Sequence, residues 1–184
     1  MVHLDDMLSY NEKFVAEKKY IPYETNSRPN KEMVILTCME SRLIELLLKA
    51  LNLKNGDVKM LKNAGAIIRK PYDTIMKSIL VAIYELGAKE VVVIGHYDCG
   101  MSQTIPSELK EKMIVNGIKQ ETIQTIERSG IDFEEEFSGF ESVEDSVKQS
   151  VSIIREHPLL PKYVKVHGLV IDPKTGKVDV ISRE

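Results

Sequence analysis

Residues 33–38 read MVILTC and residues 90–100 read EVVVIGHYDCG. Met33–Thr37 and Glu90–Gly95 are short, continuous aliphatic and β-branched runs with no polar alternation, the pattern of strands buried on both faces. Between them, Leu43–Leu53 predicts a strongly apolar helix that stops before Asn55-Gly56. Val58–Leu61 predicts a second short strand, and Asp73–Leu86 a helix with Ile75, Ile79, Leu80 and Ile83 facing inward and Gly87 closing it. Strand, helix, strand, helix, strand with apolar strands implies a parallel sheet built from right-handed crossovers.

Working outward from this centre, Leu4–Lys19 has the spacing of an amphipathic helix, and Pro22 and Pro29 mark an irregular connection after it. The pattern weakens between Ile105 and Phe140 into mixed polar and helical segments, where Glu134-Glu135-Glu136 reads as solvated surface. Helical periodicity resumes from Glu141 to Glu156 and ends at His157-Pro158. Tyr163–Ile171 and Lys177–Ile181 then predict two strands joined by Asp172-Pro173-Lys174-Thr175-Gly176, a turn with proline early and glycine late. The expected fold is α/β: a central, mostly parallel sheet flanked by helices, with a C-terminal strand pair. One domain is expected over residues 1–184, in which 1–32 form an N-terminal helix and connection able to pack on a partner subunit.

Composition narrows the function classes. The net charge is −3 and lysines are scattered among glutamates, which argues against nucleic acid or anionic membrane as a partner. No apolar run approaches the roughly 20 residues of a membrane span. The opening MVHLDDMLSYNEKF carries no basic segment followed by an apolar stretch and no small-residue cleavage site. A reducing cytoplasm is therefore the expected compartment, where thiols stay free or bind metal.

The chemistry follows from the sheet. In open parallel sheets, ligands bind beyond the carboxyl ends of the strands. Cys38 lies at the end of the first strand, Asn63-Ala64-Gly65 at the end of the second, and His96 with Cys99 at the end of the third. Two thiols and an imidazole delivered to one edge suit a soft divalent metal, and three protein ligands leave zinc an open position, as catalytic sites do. Taken singly, each residue has a plainer reading: cysteine packs well as a small hydrophobe, and a histidine in a turn can simply cap it.

Five segments together resemble the β-class carbonic anhydrases, in particular a short, archaeal-type branch. Cys38-Met39-Glu40-Ser41-Arg42 resembles the family's Cys-x-Asp-Ser-Arg, Lys62-Asn63-Ala64-Gly65 its Asn-Ala-Gly loop, and Gly95-His96-Tyr97-Asp98-Cys99-Gly100 its His-x-x-Cys segment. Val147–Leu160 resembles its long helix ending in proline, and Val166–Asp172 with Thr175-Gly176 its closing hairpin. The resemblance implies reversible hydration of carbon dioxide to bicarbonate and a proton, with zinc hydroxide as nucleophile. It implies Zn2+ held by Cys38, His96 and Cys99, with water or hydroxide in the fourth position. It implies that the residue at Glu40 accepts a hydrogen bond from the zinc-bound species, that Arg42 pins that carboxylate, and that backbone near Ala64 and Gly65 shapes the substrate pocket. A homodimer or higher homo-oligomer is implied as well, with the N-terminal helix reaching across to the partner.

Glu40 departs from the family's aspartate by one methylene, about 1.5 Å of reach, in a site where a misplacement of order 1 Å costs roughly a hundredfold in rate. Three arrangements are open to it: pairing with Arg42 and orienting the hydroxide, swinging onto zinc as a fourth ligand, or doing neither. Pairing with Arg42 is the expectation carried forward. Asp98 reads as a turn cap or a proton shuttle, and Lys59 as exposed or facing the pocket. His157 is expected to meet the last carbonyls of its helix, and His167 to be a hydrogen-bonded strand residue. Rival functions are hydrolysis of carbon disulfide or carbonyl sulfide by the same chemistry, and a catalytically weak zinc-binding protein with Glu40 as fourth ligand.

Overall fold

The computed structural model describes residues 3–184. Five strands form one sheet in the order β2-β1-β3-β4-β5: β1 is Met33–Cys38, β2 Val58–Asn63, β3 Glu90–His96, β4 Lys165–Ile171 and β5 Val178–Ser182. The first four run parallel and β5 returns antiparallel to β4. This is the expected α/β architecture with its terminal strand pair.

Helices cover both faces. Helix α1 is His3–Ala16, α2 Leu43–Ala50, α3 Thr74–Tyr84 and α7 Val143–Arg155, while the shorter α4 (Pro106–Val115), α5 (Gln120–Arg128) and α6 (Phe133–Phe137) occupy the long connection from β3 toward β4. On one face, α3 and α7 contribute Met76, Ile79, Val147, Val151 and Ile154 to a core closed by Val34, Leu36, Val91, Val93 and Val166. On the other, Leu43 and Leu47 of α2 bury Ile35, Val92 and Ile94. Strands β1 and β3 are therefore covered on both sides, which is why their sequences do not alternate. The neighbouring β2 lies at the sheet edge and its residues are mostly half-buried, in keeping with its lysines.

Local chemistry sets the boundaries. Asp73 caps α3 by accepting from the Met76 amide at 2.7 Å, and Ser142 caps α7 by accepting from Asp145 at 3.1 Å. Helix α2 ends at Ala50, shorter than its apolar run suggests, because Asn52 takes the left-handed conformation with φ 51°. Strand β3 extends through His96, so this side chain stands on the last strand residue rather than in the following turn. Helix α1 buries no residue at all. Among the described residues, no helix is long and apolar enough to cross a membrane.

Candidate metal centre

Parallel pairing of β1 with β3 brings their carboxyl ends side by side and with them Cys38 and His96. The chain then turns through Tyr97 and Asp98, the latter at φ 54°, and this left-handed step returns Cys99 toward the sheet. One ligand-capable atom from each of Cys38, His96 and Cys99 lies within 4.8 Å of the other two. All three residues are buried, with exposures of 5%, 1% and 5%.

The donors are arranged for a soft cation. His96 Nδ1 lies 2.8 Å from the Tyr97 carbonyl oxygen. A carbonyl only accepts, so Nδ1 carries the ring proton and Nε2 keeps its lone pair. That Nε2 is buried and has no hydrogen-bond partner. An orphaned lone pair of this kind is costly unless something absent from the protein chain satisfies it. The two sulfurs stand 3.9 Å apart. Donation from the Cys99 thiol holds the Cys38 thiol well below its ordinary pKa, and the same bond pushes Cys99 up. The pair thus shares one proton, which a divalent cation would displace. Two thiolates and an imidazole fit zinc by the chemistry of the donor set.

The Asn63–Ala66 segment supports the cluster from beneath. Gly65, at φ 80°, donates its amide to Cys38 Sγ at 3.4 Å. A Cβ on Gly65 would lie 2.7 Å from Ile67 Cδ1 and 3.0 Å from Met101 Cγ, so the position needs glycine for both conformation and space. Asn63 braces the loop by donating to the Ile67 carbonyl at 2.7 Å and accepting from the Ile67 amide at 3.2 Å. Ala64 is exposed, whereas Gly65 is buried. The motif's small residues thus do more than line a cavity: one of them hydrogen-bonds a sulfur.

Glu40 is folded back onto its own neighbours. Oε2 accepts from Arg42 Nη2 at 2.9 Å, and Oε1 from the Arg42 amide at 3.0 Å and from Ser41 Oγ at 3.4 Å. The Arg42 side chain and amide hold this carboxyl down at about 2, so it is ionised throughout the neutral range. Among the described residues, the cluster that could hold a metal contains Cys38, His96 and Cys99, without Glu40.

The other singled-out residues lie elsewhere. Asp98 is exposed and pairs with Lys174 Nζ at 3.2 Å. Lys59 lines a cavity beside α3 with Leu61 and Thr74, away from the cluster. His157 differs from expectation: its ring accepts from the Leu159 amide at 3.1 Å instead of meeting helix carbonyls, and it is buried edge-on to Tyr72. His167 accepts from the Glu184 amide at 3.2 Å, as a satisfied strand histidine would. Sequence reading missed Tyr97, whose carbonyl sets the His96 tautomer. A main-chain role leaves no mark in residue type.

Residues 33–178 match the family model described as carbonic anhydrase. YtiB of Bacillus subtilis, a protein named for carbonic anhydrase, is 54% identical over 178 residues, covering 97% of this chain and 95% of that one. A carbon disulfide hydrolase of Acidianus is 30% identical over 162 residues, covering 81% of this chain and 76% of that one. The crystal structure of β-carbonic anhydrase isoform I from Trichomonas vaginalis superposes with a TM-score of 0.91 at 34% identity, covering 100% of this chain and 99% of that one. The matched span holds the whole thiol and imidazole cluster, and the fold agrees along the full length, so the chain belongs to the β-carbonic anhydrase family.

Proposed function

We propose that this protein is a zinc enzyme catalysing the reversible hydration of carbon dioxide to bicarbonate, with Cys38, His96 and Cys99 as metal ligands. The observation that carries the reading is the buried cluster itself, with its unpartnered Nε2 beside an intact Glu40–Arg42 pair. Zinc, when bound, supplies a Lewis acid that makes water nucleophilic near neutral pH.

The chain's own residues supply the rest. Cys38 and Cys99 enter as thiolates, and Gly65 N–H steadies the Cys38 sulfur. His96 presents Nε2 because Tyr97 holds the proton on Nδ1. The ionised Glu40 carboxylate would accept a hydrogen bond from the attacking water and orient it, and Arg42 fixes the carboxylate's direction by a charge-assisted bond. Ala64 and Gly65 bring backbone close to the site and leave room for a small linear substrate. The extra methylene of Glu40 is absorbed by the fold-back onto Arg42, which favours the orienting role over ligation. The likeness to carbon disulfide hydrolases supports a second substrate of the same cumulated geometry as the runner-up.

The reading extends to assembly. Residues 1–184 act as one domain of the short branch, in a homodimer or larger homo-oligomer in the cytoplasm, with residues 1–32 packed on the partner. Helix α1 supports this, since it exposes Leu4, Met7, Leu8 and Val15 and buries none of its own residues. The test is metal analysis paired with turnover of carbon dioxide and of carbon disulfide, before and after chelation. Carbon dioxide hydration that is lost on chelation and returns with zinc supports the proposal. Turnover of carbon disulfide alone selects the runner-up, and stoichiometric zinc without either activity overturns both.

A further inference from the structure

The turn that leads from His96 to Cys99 is tied to the C-terminal hairpin at three points. The Tyr97 amide donates to the Ile171 carbonyl at 3.1 Å, at the end of β4. The Tyr97 hydroxyl donates to Asp179 Oδ2 on β5 at 3.2 Å. Asp98 pairs with Lys174 in the turn between the two strands. Tyr97 is the residue whose carbonyl meets His96 Nδ1, so its orientation decides which imidazole nitrogen faces the sulfurs. Its side chain is half-buried against the α7 side of the sheet. Asp179 is itself held, Oδ1 accepting from Lys177 Nζ at 2.9 Å.

The ties differ in what they can accomplish. The Asp98–Lys174 pair joins two exposed side chains, the class of ion pair that contributes little. The Tyr97–Asp179 bond is partly shielded, joins a phenol to a carboxylate, and acts on a ring with few rotatable bonds that sits one residue from a ligand. Anchoring that ring restrains the backbone of Tyr97, whose amide is already held by the Ile171 carbonyl.

We infer that Asp179 is a positioning residue for the metal centre, acting through Tyr97: its hydrogen bond to the phenol holds the Tyr97 carbonyl on His96 Nδ1 and so keeps Nε2 aimed between the two cysteines. The inference rests on the reading of Cys38, His96 and Cys99 as zinc ligands. Outer groups that orient a ligating histidine typically contribute 10- to 100-fold in metal affinity.

A double-mutant cycle on zinc affinity, measured by competition with a chromophoric chelator, tests it. Tyr97→Phe and Asp179→Ala are each expected to weaken zinc about 10-fold. The double variant should be no weaker than either single one, because both changes cut the same chain. Tyr84→Phe, which removes a phenol bonded to the distant Leu159 carbonyl, is the control and should leave affinity unchanged. Affinity untouched in both single variants, or losses that multiply in the double variant, overturns the inference while leaving the ligand assignment intact. Failure of the parent protein to bind zinc overturns the ligand assignment and the inference with it. Should Tyr97→Phe not fold, Asp179→Ala against the parent decides the matter, since its site is half-buried and tolerates truncation.

Discussion

Arg42 makes two different bonds to one carboxylate, with Nη2 on Oε2 and its own amide on Oε1 of Glu40. The amide bond survives truncation of the side chain, so Arg42→Ala removes the Nη2 bond to Oε2 and leaves the bonds to Oε1 in place. Arg42→Ala is expected to lower kcat/KM for carbon dioxide by about 100-fold at unchanged zinc content, the scale of a misplaced catalytic group. Arg42→Lys should recover little of it, because a point charge on a flexible stem does not hold the single Nη2–Oε2 bond in place. Zinc binding has its own pH dependence. The ligands must be deprotonated, and with Cys38 already held low, acidification acts through the protons of Cys99 and His96 and weakens the metal. Chelator competition over a pH series should therefore show affinity falling steadily as pH drops from about 8 to about 5; a flat profile would exclude thiolate ligation.

Much of this site was legible as residue types. Cys38, His96 and Cys99 stood out because soft ligands at strand ends are unusual neighbours, and the sheet register does bring them together. What escaped was main-chain chemistry: the Tyr97 carbonyl on Nδ1 and the Gly65 amide on sulfur belong to backbone that every sequence possesses. The disposition of Glu40 was open for a related reason. A glutamate has one torsion more than an aspartate, and only packing decides which way it turns.

At the scale of elements, β3 and β4 each place one glycine under α7. A Cβ on Gly95 would lie 2.7 Å from Val143 Cγ2 and 2.8 Å from Val147 Cγ2, and one on Gly168 would lie 2.7 Å from Val147 Cγ1. The helix sits this close because the strands beneath it carry no side chain there. Gly95→Ala and Gly168→Ala should each destabilise the fold by about 1–3 kcal/mol through overpacking, read from denaturant midpoints. Adding Val147→Ala to Gly168→Ala should restore part of the loss, since the two share one contact. Strands β1 and β3 could be read from their unbroken apolar runs, and helices α2, α3 and α7 from periodicity, with errors only at their ends. Their apolar stripes are clear, and Asp73 and Ser142 mark the starts of α3 and α7. The three short helices of residues 106–137 could not be separated in advance, since each buries only one residue and so leaves little periodic signal.

For the whole molecule, the unpartnered α1 is the feature that one chain does not explain. Leu4, Met7, Leu8 and Val15 are each more than half exposed. A groove of about 380 Å³ opens on the α2 face of the sheet with a mixed lining, Met33, Val92 and Leu169 beside Glu90, Lys165 and Arg183. The exposed apolar residues of α1 are the surface on which the proposed self-association rests. Met7→Glu combined with Leu8→Glu is expected to shift the protein from dimer or larger assembly to monomer in sedimentation velocity. An unchanged sedimentation coefficient would place the interface elsewhere. Catalysis by the thiolate and imidazole centre is decided by stopped-flow carbon dioxide hydration on protein of measured zinc content. Zinc-dependent hydration, abolished in Cys38→Ser, is the expected result. A full zinc complement with no hydration above the Cys38→Ser variant at any pH would contradict it.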